Sequence, residues 1–500
     1  TEIELAPIGV EATLITEVAQ NAQVSADLAE ALSKDIPSID MNRRSGIAND
    51  VYIRGQKRDN ISVEVDGTKV HGACPNRMDP PTSHILANQV EEVKVTEGPY
   101  DVTTFGTMSG GLKITTKKPT KELSGEVTAG VGSWGYKKVG ATVSGGNDTI
   151  RVLVTGSTES SGQYEDGDGN TLSQQLKNNP QSSAANDKTA YQTQYENMDA
   201  YEKKSVMAKI FVNVADNQEL RLSYTGNRSD NILYPNSGMD AIYDDSNIYS
   251  IEYNIANLSD TYKNVNLQYY YSDVDHPMST EYRLKATNNM MNMTSQLKTT
   301  MQGLKLKNNF DFDSINVLLG LDGSKRNWDG IYFNNVTGAL HSTPISINDS
   351  NTKNIAAFAK IKKSFNDLNV EVGARYDATK VTSGDSSQQD NKYKSLNLNL
   401  LTTYNLDSQN KVFFGVGQAS RVPDARELYF ISSKNNAIGT NNLKDVTNRE
   451  IDIGYELSNA NMNFKIKGFY SDLSDYIYFK KGATADAFQN IDAKVYGTEI

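Results

Sequence analysis

The sequence predicts a transmembrane antiparallel β-barrel preceded by a small α/β unit, and three observations carry that prediction. From Leu123 onward the chain runs in weakly hydrophobic segments that alternate with period two, the pattern of strands with one face toward lipid and the other toward a polar lumen. No apolar run approaches the ~18 residues of a spanning helix, and only 37% of the residues are hydrophobic. Tyrosine is abundant, with 27 residues against 2 tryptophans, and its ring suits the two membrane interfaces, where one end is wet.

The elements follow in order. Residues 1–20 read as an extended arm, because Pro7 and Gly9 rule out a helix, and such an arm can pair with the sheet edge of another protein. The chain starts at Thr1 without a basic or apolar leader, so either a signal peptide has been removed or the protein is cytosolic; the first fits the barrel. Ser25 is the expected N-cap of a helix with Asp27 in its first turn, Leu28, Ala29 and Leu32 on its apolar face and Pro37 as its stop. Glycine-punctuated strands follow over 51–118. Beyond Leu123, paired strands such as 125–131 and 138–144 are joined by tight polar turns at 145–148, 215–218 and 407–410. Longer connections rich in Asn, Asp, Ser and Gly are expected at 160–200, 229–247 and 329–350, the rim asymmetry of an outer-membrane barrel. Roughly sixteen barrel strands are expected by Ile500.

Composition removes several classes of function. With 61 acidic against 50 basic residues and a net charge of -11, nothing offers nucleic acid a basic stripe. The acidic loops favour cations near a barrel mouth, or simply solubility. A single cysteine excludes an internal disulfide and any Cys-x-x-Cys motif. Gly130-x-Gly132-x-x-Gly135 matches a dinucleotide fingerprint but joins two strands, and Asp166-x-Asp168-x-Asn170 lacks the glycine and glutamate of a calcium loop. No phosphate-binding loop and no Gly-x-Ser-x-Gly are present, so any active transport draws its energy from a partner.

Chemistry concentrates in His71-Gly-Ala-Cys74-Pro-Asn-Arg-Met78, where the one thiol precedes a thioether by four positions. Thiolate and thioether are soft donors that select Cu(I) over harder divalent ions. A lone cysteine also serves as a small buried hydrophobe and a methionine as a core filler. Gly72, Pro75, Pro80 and Pro81 break regular structure here and place both residues on an irregular loop. A second pattern, Asp275-His276-Pro277-Met278-Ser279, follows the strand expected at 264–272. With four histidines and twelve methionines in the chain, a His-x-Met carries little weight alone.

Five phrases stand in a fixed order between 53 and 119: Ile53-Arg54-Gly55, Val65-Asp66-Gly67, Val95-Thr96-Glu97-Gly98-Pro99, Gly110-Gly111 before a strand, and Thr116-Lys117-Lys118-Pro119. Together they resemble the plug domain of TonB-dependent outer-membrane transporters. The resemblance implies an N-terminal arm with a TonB box within 1–20, an α/β plug at 21–120 inside the lumen, and a β-barrel at 121–500. Ser420–Tyr429 and Asn490–Ile500 resemble late barrel phrases of that family. Its barrels are of the twenty-two-stranded type, so C-terminal strands are expected to be missing from this chain. The Cys-x-x-x-Met and His-x-Met loops together look like its copper-receptor branch, of the OprC and NosA type. That likeness implies Cys74 and Met78 as plug ligands and His276 and Met278 as barrel ligands of one copper ion.

One thiolate, two thioethers and one imidazole make a soft four-coordinate set that suits Cu(I), whereas thioethers are poor ligands for zinc. Met290, Met291 and Met293 form a possible outer relay of sulfur donors or, equally, apolar residues facing lipid or packed in a loop. His71 and His84 are expected behind the ligands or at the surface. The resemblance further implies a monomer in the bacterial outer membrane, in contact with its lipid and lipopolysaccharide. It would take copper as cargo without an organic cofactor, be energised by TonB and its inner-membrane proton-driven complex, and catalyse no covalent chemistry. The rival reading is a receptor for a metal chelate such as a siderophore or cobalamin, which needs aromatic and Arg contacts and no thiolate. An outer-membrane hydrolase would need a catalytic constellation, and none is visible.

Overall fold

The computed structural model describes residues 12–15, 27–178, 189–432, 438–482 and 486–500. Asp27 starts the first helix: its carboxylate accepts from Ala29 N (2.7 Å) and Glu30 N (3.2 Å), so it caps α1 (Leu28–Asp35) instead of lying in its first turn. The expected cap, Ser25, lies outside the described residues, as does most of the arm expected at 1–20. The described part of that arm is β1 (Ala12–Ile15), which pairs antiparallel with a plug strand. Leu28, Ala29, Ala31 and Leu32 turn one face of α1 into the core, and the helix ends before Pro37, whose ring disfavours a helical residue ahead of it.

The N-terminal domain adds β2 (Ile39–Asn42), β3 (Asp50–Ile53), β4 (Ser62–Val65), β5 (Thr68–Lys69), β6 (Val90–Glu97) and β7 (Gly110–Thr116). Its main sheet has the order β1-β6-β7-β4-β5, with β4 and β7 parallel. Val63, Val65, Val93, Val95, Leu112 and Ile114 pack from it against α1, and Ile248 of the barrel joins the same cluster. Two of the five phrases now have physical content. Asp66 and Gly67 turn from β4 into β5 with φ of 46° and 74°, and a Cβ on Gly67 would stand 2.5 Å from the barrel's Gln268 Oε1, so glycine meets both the turn and the wall. Arg54 is sunk among barrel carboxylates, its Nη1 2.7 Å from Glu450, its Nη2 2.8 Å from Asp452 and its Nε 2.8 Å from Glu499.

Sixteen antiparallel strands of eight residues or more, from Ser124–Val131 to Ala487–Glu499, curl around this domain, with the two-residue Met278–Ser279 inserted. Their alternation is inverted relative to a soluble protein: Lys138, Thr155 and Lys209 point inward and are buried, while their neighbours Val139, Val154 and Ile210 are exposed on the outside. The expected loops at 229–247 and 329–350 are mostly strand. Gln218–Ile232 runs on to Asp240–Ala256, and Ile315–Asn334 to Leu340–Phe365. Polar composition misleads there because a barrel strand beyond the lipid band meets water or lumen on both faces. No described helix is long and apolar enough to cross a membrane.

Candidate metal centre

The stretch after β5 is irregular and held from within by one carboxylate. Asp79 accepts from Ala73 N (2.5 Å, Oδ2) and Cys74 N (2.9 Å, Oδ1), and Arg77 N donates to Cys74 O at 2.9 Å. A Cβ on Gly72 would lie 2.0 Å from the Asp79 carbonyl oxygen, so only glycine lets the two arms of the loop approach this closely. The barrel holds the same loop from outside. Trp328 Nε1 donates to Ala73 O (2.7 Å), Arg326 Nη2 to Gly72 O (3.3 Å) and Tyr234 Oη to Met78 O (2.6 Å). Three backbone carbonyls are thus satisfied by side chains from three barrel positions, which fixes the direction of the side chains between them.

The second pattern approaches from the wall. His276 N donates to Leu297 O at 2.9 Å, and Met278 pairs with Ala241 on one side and Ser295 on the other. The two halves meet although about 200 residues separate them. Cys74 Sγ, an Asp79 oxygen and a His276 ring nitrogen all lie within 4.8 Å of one another. Met78 and Met278 belong to the same buried cluster as Cys74, with Tyr234, Val274 and Leu297 around them and the half-buried Met239 packed against it. Cys74, Met78 and Met278 are 7%, 6% and 4% exposed and His276 is fully buried, so the donors are screened from water.

Behind the histidine, Asp244 Oδ1 stands 3.2 Å from His276 Nδ1 as an ion-pair partner. Burial pushes the His276 pKa down, but Asp79, Asp244 and Cys74 beside it outweigh that and raise it well above the usual histidine range.

The remaining expected positions divide. His84 is not at the surface: it is fully buried, with Nδ1 3.8 Å from Asp244 Oδ2. His71 does not join the cluster and lines a small cavity of about 60 Å³ with Lys69, Arg77, Arg326 and Arg421. Burial and then Arg326 hold its pKa well below the usual histidine range. Met290 is 79% exposed, while Met291 and Met293 are half-buried and tied to Thr280, whose Oγ1 donates to Met291 O at 2.8 Å. Sequence reasoning missed Asp79, Asp244, Tyr234, Trp328 and Met239. Only Asp79 carried a signal, an acid directly before Pro80-Pro81 where a loop needs a side-chain acceptor.

The sequence matches the model of the TonB-dependent receptor plug domain over residues 7–112 and that of the TonB-dependent receptor-like β-barrel over residues 155–500. Comparison with curated proteins gives no match. Among solved structures, the copper transporter OprC is similar at a TM-score of 0.83 and 21% identity, covering 98% of this chain and 77% of that one. The Serratia marcescens hemophore receptor HasR, in complex with HasA and heme, follows at 0.76 and 15%, covering 98% and 78%. The Pseudomonas aeruginosa ferric enterobactin receptor PfeA is similar at 0.73 and 15%, covering 98% and 78%.

Proposed function

Because the chain belongs to the TonB-dependent receptor family, the plugged β-barrels of the Gram-negative outer membrane, we propose that it imports copper, bound as Cu(I) by Cys74, Met78, His276 and Met278. The observation that supports this most is the burial of the only thiol of the sequence against an imidazole and two thioethers, with plug and barrel each supplying two donors. Thiolate, imidazole and thioethers make a soft set whose single negative charge neutralises Cu(I), while the Asp79 oxygens accept from the loop amides. Met291 and Met293, beside Met278 in the same rim, fit an outer sulfur relay.

Receptors of this family work with TonB. In this chain we assign the contact to an arm at 1–20, ahead of a plug at 21–120 and a barrel at 121–500 that lies in outer-membrane lipid and lipopolysaccharide as a monomer. The alternative is the chelate reading, which heme and enterobactin receptors among the similar structures keep alive; it does not account for a thiol buried beside an imidazole.

The deciding experiment is elemental analysis of full-length protein purified from copper-supplemented cells, parent beside Cys74→Ala, Met78→Ala, His276→Ala and Met278→Ala. One copper per parent chain and the largest loss in Cys74→Ala, which removes the only anionic ligand of the four, are expected. Full copper occupancy in Cys74→Ala would refute the assignment.

A further inference from the structure

Beside the thiolate cluster lies a group of donors that soft-metal chemistry does not use. His84 sits on the short 3-10 turn Pro81–His84 of the plug. Ser83 Oγ donates to Pro80 O (2.7 Å), Thr82 Oγ1 to Asn49 O (3.2 Å) and Lys203 Nζ to Ser83 O (2.6 Å), so the backbone under the imidazole is held at three points. The ring itself is not. It is fully buried, and neither ring nitrogen has a hydrogen-bond partner among the described residues. A buried imidazole normally finds at least one partner, and leaving a polar group unpaired costs about 1–3 kcal/mol. Asp244, 3% exposed on the barrel strand Asp240–Ala256, faces it, and its other oxygen, Oδ1, stands 3.2 Å from His276 Nδ1.

The spacing explains the vacancy of partners. His84 Nδ1 stands 3.8 Å from Asp244 Oδ2, too far for a hydrogen bond. Two donors bound to one tetrahedral divalent ion at ~2.0–2.1 Å lie about 3.4 Å apart, so the observed gap is near the span across an ion. One donor atom each from Asp79, His84 and Asp244 falls within 4.8 Å of the others. Asp79 already accepts from two amides, but each carboxylate oxygen has a second lone pair.

We propose that Asp79, His84 and Asp244 form a second cation site for a divalent ion of borderline hardness, such as Zn(II), adjoining the soft site formed by Cys74, Met78, His276 and Met278, with Asp79 and Asp244 lying between the two. Two carboxylates and one imidazole are the oxygen and nitrogen set such an ion prefers, with a fourth position open to water. Cu(I), which favours sulfur, gains little from it. The ammonium of Lys203, which donates to Ser83 O on the turn, offsets the charge of Asp244 when no cation is bound. The site also bridges plug and barrel, His84 and Asp79 coming from one and Asp244 from the other, so its ion ties the two domains together independently of the cargo.

The test loads full-length protein in detergent with one equivalent of Cu(I) under reducing, anaerobic conditions, adds Zn(II), removes free metal and measures both elements. The parent is expected to hold one copper and one zinc. His84→Ala and His84→Gln keep the copper and weaken zinc at least tenfold, whereas Cys74→Ala loses copper and keeps zinc. Copper loading reports whether the His84 variants fold. For a readout free of variants, Co(II) added to the copper-loaded parent is expected to show d–d bands without thiolate charge transfer. No zinc in the parent, zinc unchanged in His84→Gln, zinc lost with Cys74, or thiolate charge transfer to cobalt would each overturn the proposal. Zinc bound by the parent with no Cu(I) taken up would instead overturn the copper reading alone.

Discussion

On the copper reading, Asp79 organises the Cys74 loop without being asked to bind the ion, and that role can be measured. Its two oxygens accept from Ala73 N at 2.5 Å and Cys74 N at 2.9 Å, and the residue is fully buried. A hydrogen bond to a charged group contributes about 1.5–3 kcal/mol. Asp79→Asn keeps one acceptor oxygen and turns an NH2 toward the other amide, so it loses about one such bond. At 1.4 kcal/mol per decade, Cu(I) binding should weaken about 10–100-fold if the whole loss appears in the site. Asp79→Ala orphans both amides, each at about 1–3 kcal/mol, and should be weaker again by about tenfold. The assay is competition against a chromophoric Cu(I) chelator, with full-length protein in detergent, and thermal unfolding of the metal-free proteins measured alongside. Both variants binding Cu(I) within threefold of the parent would refute the argument. If Asn were as damaging as Ala, the carboxylate would be a direct ligand and not a clamp.

Three further outcomes are expected. Arg54→Met takes the guanidinium away from Glu450 and Asp452, and leaves Glu499 with Lys467 alone, around a side chain that is 4% exposed, and losing one partner of a buried ion pair costs about 3–5 kcal/mol; guanidinium should release the plug to protease at clearly lower concentration than in the parent, and an unchanged midpoint would show that the network is not what holds it. Deleting residues 1–11 should abolish copper uptake in cells while the purified protein still binds copper, and uptake that survives would remove the arm from the mechanism. A fragment of residues 1–120 should stay in solution without detergent, since the cluster around α1 holds Ile248 as its one described barrel residue and only a smaller set, Ile47, Ala48, Ala73, Cys74, Met78 and Met108, packs against the wall; a fragment that precipitates unless detergent is present would contradict that packing.

What could be read from the sequence divides along a physical line. The face of α1, the turn at Asp66-Gly67 and the outward Val and Ile residues follow from local periodicity and backbone preference, and each is found where expected. Cys74 stands out as the one thiol of the sequence, whereas His276 and Met278 are indicated through the family resemblance; the structure brings His276 close to Cys74 and packs Cys74 with Met78 and Met278. The residues that hold them could not be singled out. Asp244, Tyr234 and Trp328 lie in polar or mixed stretches where inward and outward positions look alike, because a lumen filled by a plug buries polar groups that would elsewhere be solvated. The same inversion made 229–247 and 329–350 resemble loops. Glu64, on a short strand buried on both faces, shows the effect in the plug: it is buried because Lys305 of the barrel pairs with it, a contact that no local pattern encodes.

Splitting the ligands between two domains answers a kinetic problem that tight binding creates. A nanomolar site holds its ion by about 12 kcal/mol, and with association at ~10⁷ M⁻¹s⁻¹ the ion would leave only about once in 100 s. A rigid shell that captures scarce copper would therefore be a poor transporter. On the copper reading, Cys74 and Met78 move with the plug while His276 and Met278 stay in the wall, so a displacement of a few ångströms turns one four-coordinate site into two incomplete ones. The three barrel hydrogen bonds to the loop carbonyls of Gly72, Ala73 and Met78 break in the same movement, which makes the loaded geometry all-or-none. Force delivered to the plug then acts on affinity directly, and a Trp328→Phe/Tyr234→Phe protein, in which two of those three bonds are gone, should release Cu(I) about 30–150-fold faster than the parent on the ~1–1.5 kcal/mol that each contributes. Stopped-flow transfer of Cu(I) to an excess of chelator measures it, and an off-rate within twofold of the parent would show that the wall does not set the grip.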